Sequence, residues 1–236
     1  MNTTFCWYGN EYKVTNGVFQ HEGLKFFVRE GQKGECDVGI VVNCLQRGGF
    51  SYWDFAPYVG KVVDIGAHIG GFTCAVAKTA AKVVSWEASS ENYSILLQNV
   101  KANRITNIQC HWAAVGDGSP KLLGLSSGST AGASIVVTEG RDVEEVPGAG
   151  LAEVLGDGEV EFVKMDCEGA EYELFLDCPR DLVRRMEKMV AEVHWHPKFR
   201  HQDFVDFIAG CGYSTEVRAS RADSAKMVAF RRIGAP

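Results

Sequence analysis

The sequence predicts an α/β fold: a seven-stranded, mostly parallel sheet with a C-terminal antiparallel hairpin, preceded by an N-terminal extension. Three observations predict it. From Lys61 onward, short apolar strands alternate with amphipathic helices, the order that gives right-handed crossovers and a parallel sheet. The first of those strands runs straight into a glycine-rich turn at the head of a helix. The last two strand-like runs, Tyr213 to Val217 and Met227 to Phe230, suit a terminal hairpin.

Composition sets the limits. The 236 residues fit one large α/β domain with a modest extension, and 46% hydrophobic with 23% charged residues marks an ordinary globular chain. A domain this size buries about 70–75% of its unfolded surface and needs no disulfide or metal staple. Thirty acidic against 24 basic residues give a net charge of -6, which disfavours non-specific nucleic-acid binding. The start lacks the basic and apolar regions of a signal peptide, and no apolar run nears the ~18 residues of a membrane span. The cysteines (Cys6, Cys36, Cys44, Cys74, Cys110, Cys167, Cys178, Cys211) are scattered singly with no CxxC pair. That pattern reads as the reduced thiols of a cytoplasmic protein.

In chain order, residues 1–60 are rich in aromatics (Phe5, Trp7, Tyr8, Phe26, Phe27, Phe50, Tyr52, Trp53, Phe55) and glycine, with no long helical period. They read as an extension of short strands ending in a short helix over Tyr52 to Tyr58, a cap on the substrate or an interface. The main domain spans 61–236. Lys61 to Gly66 is a strand, 71–80 a helix and Lys82 to Glu87 a second strand. Residues 90–103 form the clearest helix, with Tyr93, Leu96, Leu97 and Val100 at i, i+3, i+4 and i+7 and Ser89 or Ser90 at its cap. Ile108 to Val115 is a third strand. Residues 116–160 are irregular and then acidic, with a short hairpin and a short helix over Leu151 to Leu155. Val160 to Met165 is a strand, a helix runs through Leu182 to Met186, and Met189 to Trp195 is the next strand. Phe204, Phe207, Ile208 and Cys211 lie on one face of a further helix.

The strongest motif is Asp64-Ile-Gly66-Ala67-His68-Ile-Gly70-Gly71-Phe-Thr73. Glycines at a strand end let the backbone turn tightly and pass close to a ligand. The following helix offers free N–H groups and the positive end of its dipole. Glu87 ends the second strand 21 residues after Gly66, where a carboxylate can accept hydrogen bonds from both hydroxyls of a ribose. The dinucleotide pattern G-x-G-x-x-G is not met, because His68 stands where a glycine would admit a pyrophosphate. Asp64-x-Gly66-x-x-x-Gly70 leaves room for an amino-acid group instead, which favours S-adenosylmethionine over NAD.

Together with Trp86-Glu87, Ala113-Ala114-Val115-Gly116-Asp117, Val163-Lys-Met-Asp-Cys-Glu-Gly-Ala-Glu171 and Ala191-Glu-Val-His194, this loop resembles the FkbM family of methyltransferases over about residues 60–200. The resemblance implies a Rossmann-like, class I methyltransferase fold and S-adenosylmethionine as cofactor. It also implies O-methylation of a hydroxyl on a sugar, polyketide or other secondary metabolite. By that resemblance Asp64, Gly66 and Gly70 line the methionine end, Glu87 holds the ribose, and residues near Ala113 and Ala114 meet the adenine. Ala67, His68, Thr73, Ala88 and Asp166 complete the expected cofactor site. His68 is a departure, since the family commonly has Asn there.

A hydroxyl acceptor must lose its proton, which calls for a general base or a cation that lowers its pKa. Asp166 and Glu168 straddle the turn after Met165, with Glu171 behind them; Glu192, His194 and His196 alternate along the next strand and share a face. Asp166, His194, Glu168 and His196 are therefore the catalytic candidates, with Asp166 or His194 as base. For the histidines the other reading is a polar strand edge. For Glu168 and Glu171 it is a carboxylate stabilising a helix N-terminus. A divalent ion on Asp166, Glu168 and His194 is a less favoured possibility, as no metal-type spacing is present. The expected partner is a small hydroxylated molecule rather than nucleic acid or membrane, with a homo-oligomer possible. The alternatives are methylation of RNA or protein, or non-catalytic cofactor binding. Asp166-Cys-Glu-Gly is not the Pro-Pro-aromatic motif of amino-group methylation, and the basic cluster Arg180, Arg184, Arg185, Lys188 lies on a predicted helix where it reads as solvated surface.

Overall fold

The computed structural model of the protein describes residues 2–47, 51–127, 129–219 and 225–234. The chain opens with β1 (Asn2–Trp7), β2 (Asn10–Thr15), β3 (Val18–His21) and β4 (Leu24–Phe27), an antiparallel meander in sequence order. A 15-residue helix, α1 (Gly31–Leu45), follows. Then come β5 (Lys61–Ile65), α2 (Gly71–Val76), β6 (Lys82–Glu87), α3 (Ser90–Ala102), β7 (Ile108–Trp112) and the two-residue β8 (Ala114–Val115). A hairpin of β9 (Lys121–Leu125) and β10 (Asp142–Val146) precedes β11 (Gly148–Ala149) and α4 (Leu151–Leu155). The rest is β12 (Val160–Met165), α5 (Glu171–Phe175), α6 (Arg180–Val183), β13 (Met186–His194), α7 (His201–Gly210), β14 (Tyr213–Ala219) and β15 (Ala225–Arg232).

Among the described residues the main sheet has seven strands in the order β14-β15-β13-β12-β5-β6-β7. The five strands from β13 to β7 pair in parallel, and β15 enters antiparallel between β13 and β14. Because strand side chains alternate, neighbouring residues feed two separate cores. Val62, Val83, Phe162, Val190 and Ala229 face the extension, packing on Val38, Val41 and Leu45 of α1 and on Phe19 and Phe26 of the meander. Val63, Val84, Val163, Met189 and Val228 face α4, α5 and α7. The sheet reverses direction of build-out between β5 and β12, which leaves a crevice beyond their carboxyl ends.

The predicted fold class stands, with six local differences. The extension carries α1, a helix that the sequence reading lacked, and residues 52–55 are turns where a short helix was expected. Phe50 lies outside the described residues. The helix over 71–80 stops at Val76, and the third strand is interrupted at Ala113, whose N–H donates to the Glu87 carbonyl. Met186 opens β13 instead of closing a helix; α6 ends at Val183. Leu97, placed on the buried stripe of α3, is 44% exposed, while Leu96 is fully buried.

Candidate active site

Two walls define a cleft of about 730 Å³, its open mouth included. One wall is the β5–α2 loop with the end of β6; the other is the β12–α5 turn; the segment 130–135 lies across both. Gly66 has φ +75°, and a Cβ there would collide with the carbonyl oxygen of Asp166, so only glycine lets the two walls touch. Of the predicted cofactor residues, Gly66, His68, Glu87, Ala88, Ala113, Ala114 and Asp166 line the cleft, and so does Glu168. Asp64, Ala67, Gly70 and Thr73 do not.

Asp64 is fully buried. Its Oδ2 accepts from the Thr73 hydroxyl at 2.5 Å, and its Oδ1 faces Lys164 Nζ at 3.3 Å. Lys164 in turn donates to the carbonyls of Gly66 at 2.5 Å and Ile65 at 3.2 Å. Burial opposes its charge, but Asp64 and Asp166 outweigh that and hold the ammonium above its ordinary pKa. Asp64 and Thr73 thus fix the loop through Lys164, a residue that the sequence reading passed over. A lysine inside the apolar run Phe162-Val-Lys164-Met was the available signal, since such a charge needs a buried partner.

Glu87, 6% exposed, accepts from the His68 N–H at 2.8 Å, the Ser89 N–H at 3.0 Å and Asn92 Nδ2 at 3.3 Å. Burial nevertheless raises its pKa. His68 adopts φ +53°, and its Nε2 pairs with the Thr130 hydroxyl at 3.0 Å. Burial, with Arg29 and Lys164 nearby, pushes this imidazole down to about 3, so it is neutral. Its Nδ1 is buried with no partner among the described residues. An unfilled polar atom on a cleft wall is what a polar ligand group would meet.

Beside the β12–α5 turn lies a carboxylate cluster around His194. Its Nδ1 is 2.9 Å from Oε1 of the fully buried Glu171; its Nε2 faces Glu168 at 3.5 Å, Asp166 at 3.9 Å and Glu192 at 4.0 Å. Burial works against a charge on this ring, but the Glu171 hydrogen bond and the surrounding carboxylates raise it to about 10. His194 is an imidazolium at neutral pH. Burial and the charge of Asp166 push Glu192 the other way for an acid, up to about 7. Tyr52, from the extension, donates its hydroxyl to Asp166 Oδ2 at 3.1 Å. One donor atom from each of Asp166, Glu192 and His194 lies within 4.8 Å of the others; the charges of His194 and Lys164 both act on these carboxylates. His196 is not part of this group. It lies past the end of β13, its ring against the stacked pair Tyr172 and Phe199 with centroids at 5.1 and 4.9 Å.

The reversed last strand, the glycine turn after β5 and the cleft beyond the carboxyl ends of β5, β6 and β12 define a class I methyltransferase architecture. The methyltransferase FkbM domain model matches residues 64–215, and the chain belongs to the FkbM methyltransferase family. An FkbM methyltransferase from Methylobacillus flagellatus KT is similar in fold, with 17% identity and a TM-score of 0.52 over 75% of this chain and 45% of that one. Trm5b from Pyrococcus abyssi aligns over 98% of this chain and 62% of its own at 10% identity and a TM-score of 0.50. This chain therefore spans under half the length of the former and under two thirds of the latter. No curated protein sequence matches it.

Proposed function

We propose that the protein transfers a methyl group from S-adenosylmethionine to a hydroxyl of a small molecule. The observation that carries this reading is the pairing of two differently tuned ends in one cleft. At one end stand a glycine turn, an unpartnered His68 Nδ1 and the Glu87 carboxylate; at the other, Asp166 and Glu168, which face His194 and, beside it, Glu192, a carboxyl group poised near neutrality. Gly66, His68 and Glu87 would hold the methionine and ribose portions, with Ala88, Ala113 and Ala114 beside the base. Bound there, the cofactor supplies a methyl group already activated on a sulfonium sulfur.

What remains for the chain is alignment, exclusion of water and removal of one proton. Glu192 is the base in this reading: as the acceptor oxygen gains the methyl, its proton passes to the Glu192 carboxylate. A base near pH 7 is ionised under working conditions yet still basic enough to take a proton. His194, expected as a base from its position, instead keeps Asp166 and Glu168 compensated as a fixed positive charge. Asp166, held by Tyr52, borders the reacting groups, and Glu168 shapes the same wall.

Calorimetric titration with S-adenosylmethionine, S-adenosylhomocysteine and NAD tests the cofactor. Micromolar binding of the first two and none of NAD is expected, and the reverse would overturn the reading. Transfer of labelled methyl to hydroxylated metabolites, and not to amines or RNA, is the expected second result.

A further inference from the structure

The carboxylate assigned to the ribose does not stand alone. Asn92 is 4% exposed, and its Nδ2 donates to Glu87 Oε1 at 3.3 Å and to the Thr130 carbonyl at 3.1 Å. That amide could equally turn over and present its oxygen to Glu87, which two acceptors facing each other would make unfavourable. What fixes it is Arg29, between β4 and α1, whose Nη2 donates to Asn92 Oδ1 at 2.5 Å. The guanidinium is held in turn: Nη1 donates to Asp37 Oδ1 at 2.6 Å and Nε to Glu91 Oε1 at 3.0 Å, while the Arg29 N–H donates to Asp37 Oδ2 at 2.9 Å. Asp37, on α1, is fully buried.

The placement goes against local electrostatics. Arg29 lies at the N-terminus of α3, where the helix dipole disfavours a cation. Asp37 and Glu91 offset that charge, so the arrangement is an ion network built around one side chain that is 9% exposed. Neither Arg29 nor Asp37 lies within residues 64–215, the span that the family model matches. The ribose end of the cleft is thus completed from the extension.

We propose that Arg29 is a positioning residue for the cofactor: through Asn92 it sets the orientation of Glu87 and so the grip on the ribose hydroxyls. This rests on the cofactor reading given above. The same fork reaches Thr130 through Asn92, which ties segment 130–135 over the cleft to the carboxylate assigned to the ribose.

The test is titration of the full chain and its variants with S-adenosylhomocysteine and with its 2′,3′-dideoxy analogue, alongside thermal unfolding. Arg29→Met is expected to weaken S-adenosylhomocysteine roughly tenfold, the scale of one lost charged hydrogen bond, and to leave the dideoxy analogue within twofold. In an Asn92→Ala background the same substitution should add less than twofold. Arg29→Lys keeps the charge but not the fork; it should reproduce the ligand-dependent loss, and it replaces Arg29→Met if that variant fails to fold. Equal loss for both ligands, wild-type affinity in the arginine variants, or full additivity with Asn92→Ala would overturn the clamp alone. A wild-type protein that binds neither ligand would overturn the cofactor reading, and the clamp with it.

Discussion

Glu192 and His194 stand two residues apart on β13, and their ionisation decides what the cluster can do. With Glu192 at about 7, turnover should rise with pH up to that value and then level off, because only the ionised carboxylate accepts a proton. Glu192→Gln should lower kcat by ~10²–10⁴ and abolish that rise, as read from a pH–rate profile. Stability moves oppositely. A carboxyl whose folded pKa lies above its unfolded value of ~4.3 stabilises the fold while protonated, and that contribution is lost as pH climbs through about 7. Glu192→Gln should therefore unfold at a higher temperature than the wild type above pH 7 and show no such gain below pH 4. His194 should keep its proton until about pH 10, visible in an NMR titration of its ring. EDTA should leave turnover within twofold, since the imidazolium already meets the carboxylates' charge; a tenfold loss restored by Mg²⁺ would transfer that role to a bound ion. The sequence groups Asp166, Glu168 and His194, and His194 Nε2 lies 3.9 and 3.5 Å from the two carboxylates. The sequence could not say that Glu171 takes the other ring nitrogen, because that contact joins α5 to β13 across the chain.

At the scale of elements, the turn between β5 and α2 was legible and its support was not. Asp64 reads from sequence as a cofactor ligand, yet it lies under the loop in an ion pair with Lys164 on the neighbouring strand. Asp64→Ala would take from a buried ammonium its nearest counter-charge, a loss of up to about 3–5 kcal/mol. Its first effect should be a fall in thermal stability, with cofactor affinity lost only as the loop loosens. Glu87→Ala should do the opposite, costing affinity with little change in unfolding temperature; titration and melting of both variants separate the two. Helix α1 was missed for an identifiable reason. Val38, Val41, Val42 and Leu45 do recur at i, i+3, i+4 and i+7 and are buried. Gly31, Gly34 and Gly39, with a β-branched run, lower helix propensity enough to hide the period. Gly39 is there for contact: a Cβ would sit 2.8 Å from the Trp7 indole of β1.

Over the whole molecule, the question is whether residues 1–60 are an appendage or part of the fold. A sequence reading makes them a cap, because aromatics scattered among glycines show no period that names a partner. The structure shows the partner to be one face of the sheet, which the segment shares with α2 and α3. Phe19, Phe26, Val38, Val41 and Leu45 share a core with Val62, Phe72, Val83 and Phe162, and Tyr58 stacks on Phe162 at 4.1 Å. Parallel sheets need helices over both faces, and α1 is one of the helices on this one. Removing the segment would uncover several fully buried side chains, each worth about 1.5–3 kcal/mol, against a typical total stability of about 5–15 kcal/mol. A chain of residues 61–236 alone should therefore fail to fold cooperatively, showing no sharp thermal transition and exposing apolar surface to a dye such as ANS. Retention of a cooperative transition would mean that the α4–α5–α7 side suffices, and would return residues 1–60 to the status of a cap.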